Sequence, residues 1–164
     1  MTLRKSLGVL LTVIMLFALT ACKSGNANRL TVKLNGDTVP IPFTVEKLGS
    51  DYSVGNNGLT IMYKGEVVAG AIYDSGSTES DYAKKKITML LSIANGGTKS
   101  VSVNGIVTGS TQSEVLNAVG EPWKKEETLG MWIYHEDGKQ ENDNYLLISF
   151  DKDNRVSQIS VKTE

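Results

Sequence analysis

The stretch Thr111-Gln112-Ser113-Glu114-Val115-Leu116-Asn117-Ala118-Val119-Gly120-Glu121-Pro122 decides the fold class. Thr111 and Glu114 have the spacing of a capping box, in which the hydroxyl accepts from the Glu amide and the carboxylate reaches back to the Thr amide. Val115, Leu116 and Val119 then supply one apolar face, Gly120 is placed as the C-terminal cap, and Pro122 blocks continuation. The spacing predicts a helix of about two turns, too short to persist in water unless it packs on a sheet.

The flanking sequence supplies that sheet. Leu30-Thr31-Val32-Lys33-Leu34 alternates and ends at the turn signal Asn35-Gly36-Asp37. Alternation over 59–63, a turn at Lys64-Gly65-Glu66 and a second run over 67–73 predict a hairpin. Residues 87–93 and the short Val101-Ser102-Val103, closed by Asn104-Gly105, read as further strands. Beyond the helix, strands are expected at 123–127, 131–134, 145–150 and 156–161, with Asp137-Gly138 and Asp153-Asn154 as turns.

The two halves follow one plan. Asn35-Gly36, a short helix expected over 42–48 and Gly49 precede strands, as Asn104-Gly105, the capped helix and Gly120 do. Val45 and Leu48 before Gly49 match Leu116 and Val119 before Gly120 in spacing. The expected fold is therefore α+β, built from tandem short-helix-plus-antiparallel-sheet units over residues 30–103 and 104–164. Two such units can cover each other's apolar faces, which a single small unit struggles to do.

The second half also carries a family resemblance. Gly109-Ser110-Thr111, Glu114-Val115, Gly120-Glu121-Pro122, Trp132-Ile133-Tyr134 and Ile148-Ser149-Phe150-Asp151 with Val156 resemble the small lipoproteins of the SmpA/OmlA (BamE) type over about residues 104–162. The tandem arrangement resembles the related fold of β-lactamase inhibitory protein. The resemblance implies that fold and a protein-binding role. It departs from both families, since BamE-type proteins have one unit and the inhibitor carries disulfides. This chain has one Cys.

That Cys closes a second pattern. Met1-Thr2-Leu3-Arg4-Lys5 is a basic opening, and no charge falls between Lys5 and Lys23. The apolar run is marginal for a membrane-spanning helix, which needs about 20 residues, and suits the core of a secretory signal. Leu19-Thr20-Ala21-Cys22 resembles the lipobox of bacterial lipoproteins, which implies a diacylglyceryl group on the Cys22 sulfur and cleavage before it. The alternatives are an ordinary signal with a chance Cys or an uncleaved helix. The expected organisation is a signal peptide over 1–21, then lipidated Cys22 with a polar tether over 22–29. At ~3.3 Å per residue the tether holds the domain within about 25 Å of the bilayer.

Composition narrows the partners. The chain has 17 basic and 18 acidic residues, and loss of 1–21 removes Arg4 and Lys5 only, leaving an acidic remainder. No nucleic-acid partner is expected, and the one basic cluster, Lys84-Lys85-Lys86, reads as the solvated start of a strand. No catalytic constellation is visible. His135 is the sole His, the only thiol is claimed by the lipobox, and no phosphate-cradling loop is present, Asn95-Gly96-Gly97 reading as a turn. Asp151-Lys152-Asp153-Asn154-Arg155 lacks the central Gly of a calcium loop and reads as a hairpin turn. The oxygen-rich segment Asp74–Asp81 is a loop between strands, or a weak cation site. No metal and no cofactor are expected.

Trp123, Trp132, Tyr134 and Tyr145 are the candidate partner-binding residues. Exposed, they suit a protein interface, where Trp and Tyr are enriched. Buried, they are core. The functional expectation is a membrane-anchored lipoprotein on the extracytoplasmic face of the cell membrane. It would be a non-catalytic module binding a protein or envelope component. The alternative is an inhibitor or regulator of a secreted or cell-wall enzyme.

Overall fold

The computed structural model describes residues 30–93, 100–135 and 144–163. Strands β1 (Val32–Leu34), β2 (Asp37–Thr38), β3 (Tyr52–Gly55), β4 (Thr60–Tyr63), β5 (Glu66–Tyr73), β6 (Ile87–Leu91) and β7 (Val101–Val103) precede helix α1 (Gln112–Val119). After it come β8 (Lys124–Glu126), β9 (Met131–His135), β10 (Tyr145–Phe150) and β11 (Val156–Lys162). The strands form an antiparallel sheet of eight in the order β3-β4-β5-β6-β11-β10-β9-β8, and a sheet of three in the order β2-β1-β7.

Local chemistry explains most of these boundaries. Leu34 pairs with Asp37 and Tyr63 with Glu66, so Asn35-Gly36 and Lys64-Gly65 are two-residue hairpin loops. All four residues have positive φ, the requirement of a type I′ turn. The capping box forms as its spacing predicts. Thr111 Oγ1 accepts from Glu114 N at 3.2 Å, and Thr111 N donates to Glu114 Oε2 at 2.7 Å. Gly120, at φ 92, closes the helix by donating to Leu116 O.

The tandem of helix-plus-sheet units does not form. The described residues hold one α-helix, and the strands of both halves join through the β6–β11 pairing, Leu91 opposite Ser160 and Leu90 opposite Val161. The fold is mostly β. Where a first helix was expected over 42–48, only a 3-10 turn, Val45–Leu48, is present. The reason is nucleation: fixing a first turn is costly, and Thr44 makes no side-chain cap bond, whereas Thr111 and Glu114 hold theirs reciprocally. The strand Tyr52–Gly55 takes up the chain that follows. The reading as an enzyme inhibitor leaned on the tandem architecture, which is not the one observed.

The core lies between the inner face of the large sheet and a cover made of the small sheet and α1. Ile61, Leu90, Val161, Leu146, Ile148 and Ile159 of the large sheet are fully buried, as are Leu34, Val103 and Val115 of the cover. Side chains tie the layers. Ser100 Oγ donates to Val68 O at 2.6 Å, and Thr163 Oγ1 donates to Ile41 O at 2.6 Å. Arg155 Nη1 donates to Gly109 O at 3.0 Å, pinning the chain before α1 to the β10–β11 hairpin. In that hairpin Asp151 Oδ1 accepts from the amides of Asp153 and Arg155, each at 2.9 Å.

Buried tyrosines make the fold sensitive to alkali. The Tyr52 hydroxyl sits within hydrogen-bond distance of Leu34 O (3.3 Å) and Asp37 Oδ2 (3.2 Å). Burial foremost, then the Asp37 carboxylate, pushes its pKa up from 10.0 to about 12. The folded state therefore holds its proton more tightly than the unfolded chain does. That stabilisation is complete below the unfolded value and is lost as pH rises through the folded one. Burial raises Tyr134 and Tyr73 in the same direction. Urea midpoints measured across an alkaline pH series should fall between about pH 10 and 12. Tyr52→Phe should flatten part of that fall, and an unchanged slope in the variant would refute the assignment.

Candidate functional site

The candidate site follows from the register of the large sheet. Because successive side chains point to opposite faces, directly paired residues lie on one face. Gly55 faces Thr60, Thr60 faces Gly70, and Gly70 faces Leu91. Leu91 faces Ser160, which faces Leu147, then Ile133 and finally Lys124. One row thus crosses all eight strands on the face opposite the core. Leu91, Leu147 and Ile133 on it are half-buried, while their neighbours Leu90, Leu146 and Tyr134 on the inner face are buried.

Small residues shape this row. Gly70 leaves room for Leu91, whose Cβ lies 3.4 Å from where a Gly70 Cβ would stand. Ser160 sits low between Leu91 and Leu147, at 7 % exposure. A parallel row runs Ile72, Met89, Lys162, Tyr145 and His135, with Ile72 47 % exposed. These two rows carry two Lys, one His and no Asp or Glu, on a chain whose overall charge is acidic. The next row on this face, Met131 and Ser149, ends at Glu126, which is ion-paired with Lys124, so the middle of the face is apolar and its β8 end is charge-balanced.

The four aromatic candidates separate. Trp132 and Tyr134 turn into the core, at 8 % and 4 % exposure. The Trp132 ring meets Phe150 edge-on at 4.7 Å, and Lys125 Nζ lies 4.8 Å from its centroid. Tyr134 Oη is buried without a hydrogen-bond partner among the described residues. Burial, and secondarily Glu121, raises its pKa. Tyr145 lies half-buried on the outer face between Lys162 and His135. Trp123, 40 % exposed, stands edge-on to the His135 ring at 4.8 Å. Trp123 and Tyr145 therefore border the apolar row, and Trp132 and Tyr134 support it from beneath.

Leu91, Leu147 and Ile133 were not among the candidates read from sequence. Their signal was present as uninterrupted apolar runs, Met89-Leu90-Leu91, Met131-Trp132-Ile133-Tyr134 and Tyr145-Leu146-Leu147-Ile148. A strand with one wet face alternates, whereas a strand covered on both faces reads as a continuous run.

The sheet edge is a poor place for a partner. β8 reads Lys-Lys-Glu, with Lys124 and Glu126 ion-paired and Lys125 3.1 Å from Glu121. Such charges guard an edge against added strands. Among the described residues no group of three or more His, Cys, Asp or Glu could hold a metal ion. Among them, too, no helix is long and apolar enough to cross a membrane. Leu19, Thr20, Ala21 and Cys22, the tether, Asn95-Gly96-Gly97 and Asp137-Gly138 lie outside the described residues. No protein-family model, curated protein or solved structure matches the chain.

Proposed function

We propose that this protein is a lipid-anchored, non-catalytic binding module that holds a protein partner at the extracytoplasmic face of the cell membrane. Cys22 would hold the bilayer, and the outer face of the large sheet would hold the partner. The observation that carries the binding half is the row through Leu91, Leu147 and Ile133, which is apolar yet lies opposite the core. Contiguous apolar surface of this kind marks an interaction site in a folded protein. The apolar row favours a partner with an apolar patch of its own. Trp123 and Tyr145 supply rigid aromatic contact at its border.

The anchoring half is supported by the basic opening, the apolar run and Leu19-Thr20-Ala21-Cys22. At ~0.8 kcal/mol per buried methylene, one acyl chain holds marginally and two hold firmly. Metabolic labelling with a clickable fatty acid, followed by membrane fractionation, tests this half. Wild-type protein should carry label and sediment with membranes, and Cys22→Ala should do neither. Label retained by Cys22→Ala would sink the anchor. Photocrosslinking in intact cells tests the binding half: the wild-type chain should give discrete adducts that Leu147→Glu loses. Adducts unaffected by that substitution would move the interface elsewhere.

A further inference from the structure

The row that crosses the large sheet is unevenly filled. Its β3–β5 half carries Gly55, Thr60 and Gly70, its β10–β9 half carries Leu147 and Ile133, and at the centre Leu91 stands beside Ser160. A two-fold interface needs a patch that is complementary to itself, and sheets packed face to face keep their strands within about 30° of each other. A two-fold axis parallel to the strands reverses the strand order between two facing copies. It therefore sets β5 over β10, β4 over β9 and β6 over β11 of the other copy. Each large residue then meets a small one: Leu147 over Gly70, Ile133 over Thr60 and Leu91 over Ser160.

The rest of the face agrees with this pairing. Lys124, at the β8 end of the row, falls over Gly55 at the β3 end, so the row brings no like charges together. In the neighbouring row Tyr145 falls over the exposed Ile72, and the methylenes of Lys162 over Met89. A two-fold axis along the row would instead set Leu147 on Leu147 and Ser160 on Ser160, crowding one contact and leaving the other open.

Size and chain direction fit as well. Eight strands of about five residues span roughly 34 by 17 Å, on the order of 600 Å2 in projection. The accessible area of a corrugated face exceeds its projection, and a stable interface takes about 800 Å2 from each partner. Leu30, where the described chain begins, lines a cavity of about 330 Å3 at the ends of β9, β10 and β11, together with His135, Tyr145 and Lys162. An axis parallel to the strands puts that end of both copies on the same side, which suits two anchors in one bilayer.

We propose, on the reading of the outer face as the partner site, that the partner is a second copy of this chain, packed sheet to sheet about that axis.

The test uses the full chain in its native membrane, expressed as two differently tagged copies. One carries Thr60→Cys and the other Ile133→Cys; a short bismaleimide is added, and the linked peptides are identified by mass spectrometry. Position 60 of one copy should link to position 133 of the other across sheets ~10 Å apart. Two copies of Thr60→Cys, about five strand spacings or ~24 Å apart, should not link. Leu147→Glu in both copies should cut the 60–133 link at least roughly tenfold, and Leu147→Ser, which brings in no charge, should cut it in the same direction. Absence of the 60–133 link, or its replacement by links between like positions, would overturn this packing. If Leu147-sensitive photocrosslinks to another protein accompany that absence, the partner face stands and the second copy alone fails. A 60–133 link indifferent to both substitutions at Leu147 would overturn the pairing of large with small residues.

Discussion

Ile148→Ala is expected to lower the unfolding free energy by about 3 kcal/mol, the middle of the range for deleting a fully buried aliphatic side chain. Ile148 has no exposure and sits between Trp132 and Ile159 across its two strand pairings. The surrounding strands are held by ladder bonds on both sides, so the cavity left behind has little freedom to collapse. For a domain with ordinary stability of about 5–15 kcal/mol the loss is a large fraction of the total. Its neighbour supplies the control. Leu147 points to the opposite face and is half-buried, so Leu147→Ala should cost about 1 kcal/mol or less. Urea titration followed by tryptophan fluorescence measures both, with the midpoint shifting and the slope unchanged. Equal losses at 147 and 148 would mean that the two faces are equally covered, and the assignment of an open face would fail.

The second large effect concerns binding. Leu147→Glu places a carboxylate in the middle of the apolar row, between Ser160 and Ile133. A central contact of a protein interface is worth about 2 kcal/mol or more, so affinity should fall roughly thirtyfold. Lys124→Glu, at the exposed end of the same row, should act mainly on the association rate and its salt dependence. Circular dichroism of each variant separates lost binding from lost fold, and Leu147→Ser provides a milder form. Full capture by Leu147→Glu in the crosslinking assay would remove this face as the partner site.

Much of the β-structure was legible because its signals are local. The 145–150 strand and Val101-Ser102-Val103 are bounded by turn chemistry on at least one side, and both form at the expected residues. The capping box is a contact between residues three apart, so its energy is available before any tertiary structure exists. Over 42–48 the same reasoning failed. Val45 and Leu48 have helical spacing, but four residues without a capping bond yield only a 3-10 turn. The edge strand Tyr52–Gly55 was missed for a related reason: Tyr-Ser-Val-Gly is too short to show a period, and it is defined by its pairing with β4.

The candidate site was less legible. Trp132 and Tyr134 share a face, as alternation predicts, yet alternation cannot say which face the core will take. Leu147 and Leu146 are the same residue type at adjacent positions, and only the packing of α1 and the small sheet against one side distinguishes them. The eight-residue row depends on strand order and on the β6–β11 join, which links residues about 70 positions apart through pairings that no local pattern encodes.

By itself, then, the sequence determined the Asn35-Gly36 and Lys64-Gly65 turns, the capped helix and most of the strand segments, all properties of neighbouring residues. Only the tertiary structure decided that the halves merge into one sheet and that Leu91, Leu147 and Ile133 form the open row. It also placed Trp132 and Tyr134 beneath that row and left a cavity at the sheet's end. Those outcomes follow from burying one face of a sheet whose two faces are both apolar. The side that is buried is set by what the rest of the chain can lay over it, which is a property of the whole fold.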